Sequence, residues 1–141
     1  MSDQIEMSVV PGMLQDMFLP TSVPELVAFA VALGADQVGD LAPEERALIQ
    51  DADSAPTECE VDWIKNLIQS GEDPLGDAYC TIRSPQERRP LGQTYTPRSI
   101  VKSMVEWARD RGVPARVVDP GAGSGRYLLA AATEFPEATL F

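Results

Sequence analysis

The sequence predicts an α/β fold in which a helical amino-terminal region precedes one strand, loop, helix, strand unit. Three observations carry this. Capped apolar stretches at helical spacing occupy much of residues 1–70. The β-branched run Arg116-Val117-Val118 leads directly into alternate glycines and then the apolar stretch YLLAAATEF. Ala138 to Phe141 then opens a second strand, and a strand, helix, strand order implies a parallel pair joined by a right-handed crossover.

Taken in order, the first nineteen residues mix Met, Gly and Pro without sustained periodicity, which predicts a frayed start or a short helix with loose ends. Ser22 and Glu25 form an S-x-x-E capping box ahead of a helix whose Leu26, Phe29, Ala30 and Leu33 share a face and which stops at Gly34. Pro43, Glu44 and Glu45 open a second helix, acidic at its N-terminal end as the macrodipole prefers, ending near Ala52. Thr57 and Glu60 repeat the box before a third helix, lined by Val61, Ile64 and Ile68 and followed by Gly71.

Residues 1–70 are thus expected as an acidic helical region, and 71–92 as a linker or hinge dense in turn formers, with Asp73-Pro74-Leu75-Gly76 a turn. From residue 93 the pattern changes. Thr96 is expected to cap, and Pro97 to hold the first position of, a helix whose Ile100, Val101, Met104, Val105 and Ala108 build a broad apolar stripe closed by Gly112. Trp63 and Trp107, on helices beside apolar positions, are expected as core anchors.

Charge sharpens the division. Twenty-two acids against eleven bases leave the 141 residues at -11, which argues against coating nucleic acid through the whole surface. Met1 to Ile82 holds sixteen acids and two bases, whereas Arg83 to Arg126 holds four acids and nine bases. The acidic excess reads most simply as a solvated outer face, with a surface for a basic partner as the alternative. The absence of histidine removes any mechanism that rests on an imidazole base or metal ligand within these residues. Cys59 and Cys80 have no zinc spacing and read as reduced thiols; no metal site is expected. The acidic start and the lack of a long apolar run predict a soluble, cytoplasmic protein without membrane association.

The glycine loop is the strongest chemical signal. Gly121, Gly123 and Gly125 sit between a strand and a helix, where the backbone must turn sharply and expose amides to a ligand. Their G-x-G-x-G spacing falls one residue short of the dinucleotide fingerprint, and no P-loop is present. Asp119 at the strand's end would repel a pyrophosphate but accept a hydrogen bond from an ammonium group, so S-adenosylmethionine fits better than NAD or ATP.

LGQTYTPRSIVKSMV, followed about twenty residues on by RVVDPGAGSGRYLLAAA, resembles the amino-terminal part of the catalytic domain of adenine-N6 DNA methyltransferases of restriction-modification and phage-defence systems. The resemblance runs from about Gly71 to Phe141. In that family a YTP-type segment packs beside the methionine portion of S-adenosylmethionine and a DPxxGSG loop cradles it. The resemblance therefore implies cofactor-binding roles for Tyr95, Thr96 and Pro97, and for Asp119, Pro120, Gly121, Gly123, Ser124 and Gly125, within residues 93–141 as the first βαβ unit of a Rossmann-like class I methyltransferase domain.

It also implies DNA as partner and adenine N6 as methyl acceptor. The family's catalytic [ND]-P-P-[YFW] loop, which receives a flipped adenine, does not occur in these residues, so no catalytic residue is assigned. The expectation is an incomplete domain that transfers no methyl group alone, the remainder coming from further chain or a second polypeptide. Two alternatives stay open: a cofactor-binding subunit of a split methyltransferase, and a methyltransferase fragment acting on something other than DNA. Arg83, Arg88, Arg89, Arg98 and Lys102 could meet DNA phosphates; the alternative is ordinary surface charge paired with the acidic helices.

Overall fold

The computed structural model describes residues 18–141. Helices α1 (Val23–Ala32), α2 (Pro43–Gln50) and α3 (Glu58–Gln69) lie where capping and periodicity place them. At α3 the box closes as expected: Glu60 N donates to Thr57 Oγ1 at 3.4 Å and Thr57 N to Glu60 Oε2 at 2.7 Å. At α1 only half of it forms. Glu25 N donates to Ser22 Oγ at 3.2 Å, but the Glu25 carboxylate reaches one residue further back and takes the Thr21 amide at 2.8 Å. The expectation for the first nineteen residues falls almost entirely outside the described residues.

The stretch expected as a linker is helical. α4 (Pro74–Ile82) and α5 (Pro85–Arg88) fill most of it, and Asp73, Pro74, Gly76 and Ala78 are buried. Asp73-Pro74-Leu75-Gly76 is accordingly the start of a helix and no isolated turn. Asp73 Oδ1 accepts from Gly76 N at 2.9 Å, and Pro74 occupies the first helical position, where its missing N–H costs nothing. Aspartate and proline serve turns and helix starts alike, which is why composition alone misplaced this segment.

α6 (Arg98–Arg109) begins one residue later than expected, with Pro97 as its N-cap and no side-chain cap; Thr96 lies outside the helix. Of its apolar stripe only Val101 is buried, while Ile100, Met104 and Trp107 stay exposed, Trp107 at 58%. Trp107 is therefore no core anchor; the Arg111 guanidinium lies 3.7 Å from its ring centroid instead. Trp63 is half-buried against Phe18, ring centroids 5.8 Å apart.

β1 (Arg116–Val117), α7 (Arg126–Glu134) and β2 (Thr139–Leu140) follow, and the two strands pair in parallel with Arg116 opposite Thr139 and Val117 opposite Leu140. Asp119 N extends the ladder to the Phe141 carbonyl at 2.9 Å, so the glycine loop leaves directly from the sheet. α1 packs against α2 and α4, α4 also against α3, and α7 against both α3 and α6. The acidic helices thus touch the glycine-loop half through α3 and α4. Buried apolar side chains fall in two groups: Ala28, Phe29, Val61, Ile64 and Ala78 on α1, α3 and α4, then Val101, Ala131 and Phe135 on and after α6 and α7. Among the described residues no helix is long and apolar enough to cross a membrane, and no cluster of acids or cysteines could hold a metal ion.

Candidate functional site

The two expected motifs lie about twenty residues apart in sequence, yet they line one cleft of about 350 Å³. Tyr95 and Thr96 form one wall and Gly121, Gly123 and Ser124 the other, with Gln93, Arg126 and Tyr127 also in the lining. Pro97, Pro120 and Gly125 are not in the lining but adjoin it in sequence, as the N-cap of α6, the loop's entry and the N-cap of α7. Gly123 and Gly125 have φ of 56° and 83°, a left-handed backbone that glycine adopts without cost. Cβ atoms at Gly121 and Gly123 would meet nothing nearer than 3.9 Å and one at Gly125 nothing within 4 Å, so the loop faces open space.

Asp119 sits at the loop's base. Its Oδ1 accepts from Gly121 N at 3.1 Å, while its buried Oδ2 has no hydrogen-bond partner among the described residues. A buried carboxylate oxygen without a donor keeps its capacity to accept a hydrogen bond.

The cleft is tied together by Asp73, Asp77 and Arg126, none of which the sequence marks as a site residue. Asp73, 3% exposed, accepts from Ser124 Oγ at 2.5 Å and from Arg126 Nε at 2.9 Å on its Oδ2. Arg126 in turn donates through Nη1 to the Thr96 carbonyl at 2.9 Å and through Nη2 to Asp77 Oδ1 at 2.5 Å. Asp73 and Asp77, four apart, lie on one face of α4's first turn. The carboxylate at 73 needs room within the helix, and Gly76 supplies it: a Cβ there would fall 2.0 Å from Asp73 Oδ2. The sequence marks Asp73 only as part of a turn; its partners lie about fifty residues on.

Burial opposes the charge on Arg126, but hydrogen bonding and attraction from Asp73, then Asp77, hold the guanidinium above its ordinary value. Burial pushes Asp77 up, against the pull of Arg126. Tyr95 is likewise raised, first by burial; its ring packs at 5.9 Å from that of Tyr79, with the Arg88 and Arg126 guanidinium carbons 5.4 Å and 5.6 Å from its centroid. Burial also raises the Cys80 thiol above its ordinary value, against the pull of Arg88 and Arg126.

The expected phosphate-contacting residues divide. Arg98 is held between Glu72 and Asp77. Arg83 pairs with Glu87 at 3.2 Å, and Arg88 donates to the Arg83 carbonyl at 3.0 Å while lying over Tyr95. Lys102 is 78% exposed with Glu106 3.9 Å away, and Arg89 is exposed.

Residues 70–139 match the family model described as N-6 DNA Methylase. The chain is similar to the type II methyltransferase M.XamI of Xanthomonas campestris pv. amaranthicola, 41% identical over 124 residues that cover 82% of this chain and 22% of that protein. The chain spans less than a quarter of that relative's length, and the similarity reaches beyond the family match into the acidic helices. No solved structure matches the chain.

Proposed function

The chain belongs, through residues 70–139, to the N-6 DNA methylase family, and from that premise we propose that it forms the methyl-donor side of a DNA adenine-N6 methyltransferase, with S-adenosylmethionine as donor. The observation that carries the reading is the single cleft walled by Tyr95 and Thr96 on one side and the glycine loop on the other.

The residues present fit the cofactor. The unpartnered Asp119 Oδ2 is an acceptor for its ammonium group, and the open glycine loop leaves amides free for its polar end. Tyr95, with Thr96 and Pro97 fixing its segment, offers an apolar ring wall for the methionine portion. When bound, the cofactor supplies a sulfonium-activated methyl group. The chain's own part is to bind and orient it: the loop leaves the sheet at Asp119, and α7 begins at Arg126. On this reading β1, α7 and β2 are the first βαβ unit of a Rossmann-like class I domain.

The catalytic step belongs to residues beyond these, because no [ND]-P-P-[YFW] tetrapeptide occurs in the 141. DNA is the macromolecular partner, approached through Arg88, Arg89, Arg83 and Lys102; Arg98 instead serves the ion-pair network of α4.

Titrating the purified chain with S-adenosylmethionine, observed by amide chemical shifts, tests this. The expected result is weak binding in which the Gly121 to Gly125 and Tyr95 amides move together, and no transfer of tritiated methyl to mixed DNA. Shifts confined to other residues, or none at saturating millimolar ligand, overturn the donor site; clear methyl transfer overturns the division of labour.

A further inference from the structure

We infer that Asp73 is a positioning residue: it clamps the glycine loop to the Tyr95 segment and so shapes the donor cleft before any ligand arrives. Its placement on α4 has no need of a second carboxylate oxygen, because capping Gly76 N uses Oδ1 alone. The other oxygen, Oδ2, takes the Ser124 hydroxyl from the glycine loop and Arg126 Nε from the start of α7. Arg126 passes the connection to the Thr96 carbonyl, which completes a path from one cleft wall to the other through two side chains.

Two further observations make this more than a buried ion pair. A charge as enclosed as Asp73, 3% exposed, is expensive to bury, and an apolar pair of similar volume would hold α4 on α7 at least as well. Every polar contact of Asp73 beyond its cap nevertheless goes to the loop or to the arginine that grips the other wall. Secondly, the backbone of α4 is shaped around the carboxylate, since a side chain at position 76 would occupy the place of Oδ2. The cleft walls are therefore held by a group that reaches neither wall through local sequence. Pre-forming a pocket in this way lowers the ordering cost of binding. That this cleft receives the methyl donor rests on the reading above; the clamp itself does not.

Amide hydrogen exchange of the full 141-residue chain without ligand tests the clamp. Asp73→Ser keeps a competent helix cap but is one bond too short to reach Ser124 or Arg126. Exchange is expected to rise roughly tenfold in both 119–125 and 94–97, with the first turn of α4 and helices α1 to α3 at wild-type rates. A rise confined to residues 74–77 reduces Asp73 to a cap and overturns the proposal. If α1 to α3 also lose protection, Ser124→Ala decides: a rise of about threefold limited to 119–125 is expected, and an unchanged loop overturns the clamp. In a second arm S-adenosylhomocysteine is added. The wild-type chain is expected to gain protection in both segments, and Asp73→Ser to need roughly tenfold more ligand for the same effect. Absence of protection in the wild type counts against the donor site, while the ligand-free pattern still judges the clamp.

Discussion

Arg126 Nε lies 2.9 Å from Asp73 Oδ2 across fifty-three positions of sequence, and both side chains are withdrawn from solvent, at 11% and 3% exposure. The pair joins the start of α7 to the start of α4, and the same guanidinium reaches Asp77 of α4 at 2.5 Å and the Thr96 carbonyl at 2.9 Å.

Removing Arg126 leaves the Asp73 carboxylate buried without a counter-charge. Arg126→Met is expected to cost about 3–5 kcal/mol in urea unfolding. Asp73→Asn combined with Arg126→Met should cost less than the two singles together, by at least about 1 kcal/mol. Additive losses would show that the residues act separately.

Gly76 reverses an ordinary rule. Alanine in place of a helical glycine normally stabilises by about 1 kcal/mol. Here the added methyl meets the Asp73 carboxylate, so Gly76→Ala is expected to destabilise by about 1–3 kcal/mol and to lower the melting temperature.

Acid should act on this chain with two signs. Glu60 is held below its ordinary 4.5 by the Thr57 hydroxyl and then its amide, and Glu87 by the Ser84 amide and then its hydroxyl. Their contribution to stability is present above 4.5 and lost as pH falls through the lowered values. The gap in urea midpoint between wild type and Glu60→Gln therefore closes on acidification. Asp77, raised above 3.8 by burial, works the other way: its contribution is full below 3.8 and fades as pH rises, so the gap between wild type and Asp77→Asn narrows towards neutral pH.

α6 offers a test of its two faces. Val101→Ala, at 3% exposure, is expected to cost about 2 kcal/mol. Met104→Gln and Trp107→Gln, on the open face, should each change stability by less than about 1 kcal/mol. Loss of Trp107 should remove the more water-exposed, acrylamide-quenched part of the tryptophan emission and leave that of Trp63.

If the proposed function holds, Arg88→Glu with Arg89→Glu is expected to weaken DNA affinity and flatten its dependence on salt. Arg98→Glu should instead register first as lost stability, since it places a third acid against Glu72 and Asp77. Equal salt slopes for wild type and the double reversal would remove Arg88 and Arg89 from the interface.

What could be read from sequence is what is local. Thr57 and Glu60 announce α3 because the partners of a cap sit three residues apart, and the glycine loop was legible because strand, turn and helix adjoin. Asp73 was misread because the same two residues begin a turn or a helix, and what distinguishes them is Ser124 and Arg126. The face of α6 was misread for a related reason: periodicity shows that Ile100, Met104 and Trp107 are apolar together, but not whether anything packs upon them.

The position of Asp73 ahead of both signature motifs bears on how such chains are cut and recognised. A product begun anywhere between residues 74 and 92 would retain the YTP segment and the DPGAGSG loop intact, and any search by motif would score it as a complete donor site. It would nonetheless lack the carboxylate that ties the loop to Arg126. The minimal unit for expression, for transplantation into another enzyme, or for reassembly from two pieces therefore begins no later than the end of α3.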